Sequence, residues 1–484
     1  MASPRKYGIE LPKGVHEALE IDRKTVTSFW REAINKEMKN VLPAFQFLED
    51  DKVPIGFKHI TCRMIFNVKM VGLVRKARYV AGGHLTVPPV ESVYSSIVTR
   101  ESVRIMFLVA ALNDLEVLSA DVQNASINAR TEEKVYTTAG SEFGTNEGRP
   151  AIKVHALYGL KSSGARWRDH LAAILIQAGF RTSKAGPDVW MCKAHKSSGF
   201  TYWEYVLCYV DDILAISHKP CTILDAIGKQ VMLKPGSMEE PKSYLGANIS
   251  KCTVVDGNTQ VPMKQVWTMF TQEYIKCAIE EVEHELKLEN QFLPKKVETP
   301  LSSGYRPELD FSQELWAQKT NCYQGLIRIL RWVMELGRID IIVPVSLLSR
   351  YLVSLHEGHL QQAYRIFAYL KQFNRPMLVF DDSEPKIATD SFHMHDWSNQ
   401  YPEATEKIPP DAPEALGHSV VTTCFVDADH AGCRATRRSH TGILIYVNCA
   451  PIIWFSKRQN TVKSSTFSSE FIALKISVEL IESL

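Results

Sequence analysis

The chain has 484 residues, 45% hydrophobic and 23% charged, with a formal net charge of +2. At roughly 150 residues per domain this length holds about three globular units, each able to bury a core. The near-neutral balance excludes a globally basic chain, and the sequence lacks both a signal-peptide core in "MASPRKYGIE" and an apolar run of the roughly 20 residues a membrane span needs.

The ten cysteines are scattered, and Cys192 and His195 stand in C-x-x-H spacing without a matching second pair. They read as ordinary residues rather than zinc ligands. A soluble, cytoplasmic protein that keeps its thiols reduced is expected.

In chain order, "FWREAINKEMKNV" sets Trp30, Ile34, Met38 and Val41 at helical spacing. "HITCRMIFNVKM" reads as a strand, followed by "GLVRKARYVAGGH", a basic cluster beside Gly82 and Gly83. "TRESVRIMFLVAALND" predicts a helix capped by Thr99, with Val103, Met106, Phe107, Ala110 and Ala111 on one face. It leads into a strand, "LEVLSADV", that ends at Asp121. A further helix, "GARWRDHLAAILIQAG", precedes "YVLCYVDDILAIS", which reads as strand, turn and strand with Asp211 and Asp212 at the bend.

Helical patterns return in "QEYIKCAIEEVEHELKLEN", with a solvated acidic face, and in "GHLQQAYRIFAYLKQF", where Leu360, Ala363, Phe367 and Leu370 align. Residues 381–418 are polar and proline-rich and read as a linker. Three strands follow, "VVTTCFVDAD", "TGILIYVN" and "APIIWFSKRQ". A last helix, "STFSSEFIALKISVELIESL", carries Phe471, Leu474, Val478 and Ile481 on one stripe.

Two acidic groups stand out. Asp211 and Asp212 interrupt an apolar strand pattern, where an unpaired carboxylate is costly unless a proton, a cation or a metal compensates it. The alternative is an ordinary solvated Asp-Asp turn. If the strand ending at Asp121 neighbours this hairpin, three carboxylates converge as a hard-oxygen set suited to Mg²⁺. Two such ions about 4 Å apart activate a hydroxyl nucleophile and stabilise a leaving pyrophosphate. In the second group, alternation puts Phe425, Asp427 and Asp429 on one strand face, with Glu470 near the start of the following helix. These acids form a metal site or stand separately on the surface, and spacing leaves the choice between Asp427 and Asp429 open.

The blocks "RKARYVAGGH", "SADVQNASINA", "HALYGLKSSGARW", "YVDDIL", "YLGANIS", "YQGLIRILRWVMELGRIDI", "FVDADHAG", "RRSHTG", "WFSKRQNTV" and "SSEFIAL" occur in this order. Together they resemble the reverse transcriptase and RNase H portion of copia-type retrotransposon polyproteins. The resemblance implies an α+β right-hand polymerase of fingers, palm and thumb, with a connection and an RNase H-like α/β domain. It divides the chain into an N-terminal tail (1–26), fingers and palm (27–275), thumb and connection (276–380), linker or insertion (381–418) and an RNase H-like domain (419–484). "ATDSF" at 388–392 only faintly resembles an aspartic-protease block.

In such enzymes the acids matching Asp121, Asp211 and Asp212 are catalytic and hold two Mg²⁺ ions, with Mn²⁺ as an alternative. The backbone at Val122 lies near the metal, and Asn124 and Ala125 lie near the triphosphate. Lys76 and Arg78 match a basic block that pairs with the triphosphate. Tyr158 and Gly159 match a segment lining the nucleotide and template pocket, and Tyr244, Leu245 and Gly246 match the hairpin that grips the primer end. Core packing is the alternative role for Tyr158 and Tyr244. The implied partners are a primed RNA or DNA template and dNTPs, with virus-like particles as the implied setting and no membrane. Asp427 and Glu470 match RNase H metal ligands.

Two departures qualify the resemblance. Where relatives carry an aromatic that excludes a ribose 2′-hydroxyl, this chain has Ser126. The sequence also ends soon after Glu470, so a truncated RNase H domain with little activity is expected. The competing expectations are an inactive element remnant that at most binds nucleic acid, and a hydrolase using paired carboxylates. The latter leaves the nucleotide-pocket blocks unexplained.

Overall fold

The chain is a mixed α/β protein, and the computed structural model describes residues 5–6, 8–48, 52–69, 71–86, 95–184, 186–255, 262–387, 396–403 and 410–484. A short hairpin of β1 (Arg5–Lys6) and β2 (Ile9–Glu10) leads to α1 (Val15–Thr25) and α2 (Phe29–Val41). Residues expected as a tail therefore carry structure. Ala18 of α1 shares a core with Trp30, Ile34 and Met38. The Asp22 carboxylate accepts from the Trp30 and Arg31 backbone N–H groups, which fixes α1 against the start of α2.

β3 (Phe45–Phe47) and β4 (Lys58–His59) precede an antiparallel hairpin, β5 (Cys62–Val68) and β6 (Arg75–Ala81). Alternation along β6 buries Ala77, Tyr79 and Ala81 and leaves Lys76 and Arg78 on the other face. α3 (Arg100–Leu112) starts at Thr99, whose hydroxyl accepts from the Ser102 N–H at 3.1 Å. β7 (Glu116–Asp121), the short α4 (Ala125–Asn128), β8 (Val135–Thr138), β9 (Pro150–Lys153) and α5 (Ser163–Gln177) follow. Next come β10 (Arg181–Thr182), β11 (Val189–His195), β12 (Thr201–Tyr209), β13 (Asp212–Ser217) and α6 (Pro220–Gly228).

The central sheet is antiparallel with order β10-β11-β12-β13-β7. Both faces are covered, which explains the nearly continuous apolar run in β12 and β13. Val206, Ile213 and Ala215 pack with Trp167 and Leu171 of α5 and with Leu224 of α6. Leu207, Leu214 and Ile216 pack with Val103 and Phe107 of α3. Beside this sheet, β3, β9, β8 and β4 make a smaller one.

β14 (Ser243–Tyr244), β15 (Ala247–Val255), β16 (Pro262–Phe270) and β17 (Met377–Val379) form a third sheet in that order. Between β16 and β17 lie α7 (Gln272–Leu288), α8 (Ala317–Glu335), α9 (Ile342–Leu348) and α10 (Glu357–Gln372). These helices enclose a core of their own around Tyr323, Leu330, Leu348 and Phe367.

The last unit is an antiparallel sheet of β18 (Thr422–Asp429), β19 (Arg438–Val447) and β20 (Ala450–Val462), followed by α11 (Thr466–Glu482). Val447, Ala450 and Ile452 join the core that contains Phe107, Trp267 and Phe380. α11 departs from its sequence pattern. Ser469, Ala473 and Ser477 face inward, while Phe467, Phe471, Leu474 and Val478 are exposed. Small residues let the helix sit close to β18 and β19, and the apolar stripe is turned outward.

The proline-rich segment is docked where it is described. The Glu414 carboxylate pairs with Lys193 at 2.7 Å, and its carbonyl accepts from Trp203 Nε1 at 2.9 Å. His418 stacks on Phe200, and its N–H donates to Asn113 Oδ1 at 3.0 Å. The "ATDSF" block lies outside the described residues. Among the described residues no helix is long and apolar enough to cross a membrane.

Candidate active site

β13 pairs with both β12 and β7, so the hairpin read from the sequence does lie next to the strand ending at Asp121. Tyr209 and Asp212 are register partners across the β12–β13 hairpin, leaving Val210 and Asp211 as the turn. Asp212 is also the register partner of Asp121. Three half-buried carboxylates therefore meet at one end of the central sheet.

The turn is strained. Val210 has φ 57°, a left-handed conformation that a β-branched residue rarely adopts. Its carbonyl accepts from Trp167 Nε1 at 2.6 Å, and the Asp211 carbonyl accepts from the Val122 N–H at 2.8 Å. An indole from α5 and a main-chain bond from the β7 end thus hold the two aspartates in place. Asn124, also left-handed at φ 54°, redirects the chain into α4, where Ala125 and Ser126 are buried.

The three acids repel one another, with lysines set around them. Burial, then the like charges of Asp211 and Asp121, push the Asp212 carboxyl up to about 6. Lys234 pairs with Asp121 at 2.9 Å, and that hydrogen bond holds the ammonium above its ordinary pKa. Lys76 on β6 is held below its usual value by burial and by Lys69 and Arg78, with Asp211 opposing. The Arg78 guanidinium lies 5.1 Å from the centre of the Tyr158 ring. Burial and then Asp211 raise the Tyr158 phenol. Lys76, Arg78 and Tyr158 therefore share the electrostatic environment of the acids.

Gly159 makes that approach possible. At φ +95° a side chain is strained, and a Cβ there would sit 2.2 Å from the Ala81 carbonyl oxygen. The Ala81 N–H donates to the Tyr158 carbonyl at 2.8 Å, tying this segment to β6.

Tyr244 is 4% exposed and belongs to the core, with its hydroxyl lacking a hydrogen-bond partner among the described residues. Leu245 and Gly246 form the tight turn between β14 and β15, both at positive φ, with Gly246 against Trp332 of α8.

Half-buried, mutually repelling hard-oxygen donors are the chemistry that suits Mg²⁺. Among the described residues, though, no three His, Cys, Asp or Glu side chains are already grouped closely enough to hold a metal ion. Asp121 is turned to Lys234 instead. Lys234 and the Trp167 clamp were not singled out by sequence reasoning, and nothing in "QVMLKPGS" marks Lys234 apart from its turn residues.

The second acidic group is not assembled in the same way. Asp427 and Asp429 lie on the β18 face shared with His440 and Gly442, in a cleft of about 260 Å³ bordered by Val343, Leu347 and Arg350. α11, which carries Glu470, covers the opposite face: Gln459 donates to both Thr441 Oγ1 and the Ser469 carbonyl, and Thr441 is the register partner of Ala428.

Residues 48–262 match the family described as reverse transcriptase (RNA-dependent DNA polymerase). The chain is 25% identical over 475 residues to the retrovirus-related Pol polyprotein from transposon RE1 of Arabidopsis thaliana, covering 95% of this chain and 28% of that one. It is 24% identical over 437 residues to that of transposon TNT 1-94 of Nicotiana tabacum, covering 87% and 29%. A transposon Ty5-1 protein of Saccharomyces cerevisiae is 25% identical over 350 residues, covering 70% of this chain and 92% of its own length. The chain thus spans under a third of the two plant polyproteins. Over most of its length the chain is thus similar to retrotransposon Pol polyproteins, and residues 48–262 match the reverse transcriptase family model.

Proposed function

We propose that the chain is an RNA-directed DNA polymerase that extends a primer 3′-hydroxyl with dNTPs at Asp121, Asp211 and Asp212. The observation that carries this reading is the register pairing of Asp212 with Asp121 beside a strained, clamped turn at Asp211. On this reading the central sheet with α3, α5 and α6 is the palm, the β5–β6 hairpin belongs to the fingers, and α7 to α10 form thumb and connection. The C-terminal sheet with α11 is the RNase H-like portion.

Asp121, Asp211 and Asp212, with the Val122 backbone, would hold two Mg²⁺ ions, which supply Lewis acidity at the 3′-hydroxyl and the leaving phosphate. Lys76 and Arg78 meet the triphosphate as fixed positive charge, Tyr158 and Gly159 border the base, and Asn124, Ala125 and Ser126 border the sugar. The Tyr244–Gly246 turn positions the primer end from the rigid core beneath it. No RNase H step is assigned, because Asp427 and Asp429 lie on the sheet face opposite α11.

The test is Mg²⁺-dependent extension of a DNA primer on an RNA template, with dNTPs compared against rNTPs. Extension in wild type that is lost in Asp211→Asn is expected. A small Ser126 side chain predicts weak discrimination against rNTPs, restored by Ser126→Tyr. Ser126 also favours a second reading, a remnant that binds duplex without turnover. Duplex binding with no extension in wild type would establish that reading instead.

A further inference from the structure

β7 is an edge strand of the central sheet, and residues 232–239 run antiparallel along its free side. Ser119 N–H donates to the Glu239 carbonyl at 2.9 Å, Gln123 N–H to Met232 at 2.9 Å, and Lys234 N–H to Asp121 at 2.8 Å. Ser237 Oγ accepts from the Asp121 N–H at 3.1 Å. This main-chain pairing delivers the Lys234 ammonium to the Asp121 carboxylate at 2.9 Å, with the lysine side chain 60% exposed.

We propose that Lys234 is a displaceable counter-cation for the acidic site: its ammonium neutralises Asp121 in the metal-free chain and yields that carboxylate when a divalent cation binds. The proposal rests on the reading of Asp121 as a metal ligand. Two features support it. The backbone bond to Asp121 fixes where the side chain starts, so the pairing does not depend on a mobile loop finding its partner. The exposed ammonium can leave at little cost, since water solvates it as it withdraws. Without it, Asp121 loses its directly paired cation, and the three carboxylates repel one another more strongly. Lys234 is in this sense a positioning residue that sets the metal affinity and metal-free stability of the site.

The experiment measures Mn²⁺ binding by the paramagnetic resonance signal of free Mn²⁺, without nucleotide or primer, together with thermal unfolding in EDTA and in Mn²⁺. Wild type, Lys234→Met, Lys234→Arg and Asp211→Asn are compared. Mn²⁺ binding in wild type that is weakened in Asp211→Asn is expected. Lys234→Met should bind Mn²⁺ about fivefold more tightly, the scale set by losing one partly exposed ion pair. It should also melt below wild type in EDTA, with the gap closing in Mn²⁺, while Lys234→Arg behaves as wild type. Wild-type binding with unchanged or weaker Mn²⁺ affinity in Lys234→Met overturns the role of Lys234 alone. No Mn²⁺ binding by wild type overturns the metal-site reading and this role together.

Discussion

Arg104 joins three parts of the protein, and its removal should loosen all of them. The side chain sits on α3 at 2% exposure. Nη1 donates to the Ile452 carbonyl of β20 at 2.8 Å, and Nη2 donates to the Glu335 carbonyl at the end of α8. The guanidinium carbon stands 3.7 Å from the centre of the Trp454 ring. Burial lowers its pKa to about 10, with the Glu101 and Glu335 carboxylates opposing. Arg104→Met keeps an apolar stem but leaves two carbonyls without their donor, at about 1–3 kcal/mol each. Loss of the stacked cation adds up to about 2 kcal/mol, while no longer burying a charge offsets several kcal/mol. The net expected is a destabilisation of about 3 kcal/mol.

Urea unfolding followed by circular dichroism and tryptophan fluorescence measures this change. Limited proteolysis in parallel should release a C-terminal fragment sooner from the variant, because α8 and the C-terminal sheet lose a shared anchor. A change under about 1 kcal/mol, with an unaltered single transition and an unaltered digest, would refute the assignment of Arg104 as a clamp.

Gly159→Ala should cost about 2–4 kcal/mol, since it combines φ +95° with a Cβ 2.2 Å from the Ala81 oxygen. Gly199→Ala, at φ +85° in open space, should cost about 1 kcal/mol, so equal urea midpoints for the two variants would reject the steric account. His359, 1% exposed, donates from Nε2 to the Pro307 carbonyl and accepts the His356 N–H at Nδ1, so it is held neutral. Burial lowers its pKa, and the unfolded chain therefore binds more protons just below about pH 6.5. Its contribution is present above that pH and lost as pH falls through the folded pKa. His359→Gln should flatten the stability difference between pH 8 and pH 5, and an unchanged difference in urea denaturation would count against it.

The convergence of Asp121, Asp211 and Asp212 was legible because Asp121 closes a strand, Asp212 opens one and Asp211 lies in the turn before it, all within strong apolar patterns. Only the pairing of β7 with β13 had to be supplied, and the structure supplies it. Lys234 was not legible, since its contact arises from a loop pairing along a sheet edge and hydropathy carries no trace of that. The docking of Glu414 on Lys193 was equally hidden, as proline-rich composition describes the local chain and not its distant partners. In α11 the helical period is legible, but the larger apolar stripe does not mark the face that packs on the sheet. Ser469, Ala473 and Ser477 repeat at the same helical spacing, and close approach to the sheet selected them over the larger stripe. Alternation put Asp427 and Asp429 on one face, yet which face meets the following helix is decided by tertiary packing.

The segment that carries Lys234 has a second consequence, for solubility. An uncovered edge strand offers a row of free backbone donors and acceptors to any passing chain. At β7 the 232–239 segment occupies groups from Ser119 to Gln123, and at the far edge β10 is only two residues long. A substitution that peels this segment away therefore exposes a template for intermolecular strand pairing at the same moment as it frees Asp121. Variants in 232–239 should lose soluble yield together with the acidic site, while variants confined to the Lys234 side chain should keep it.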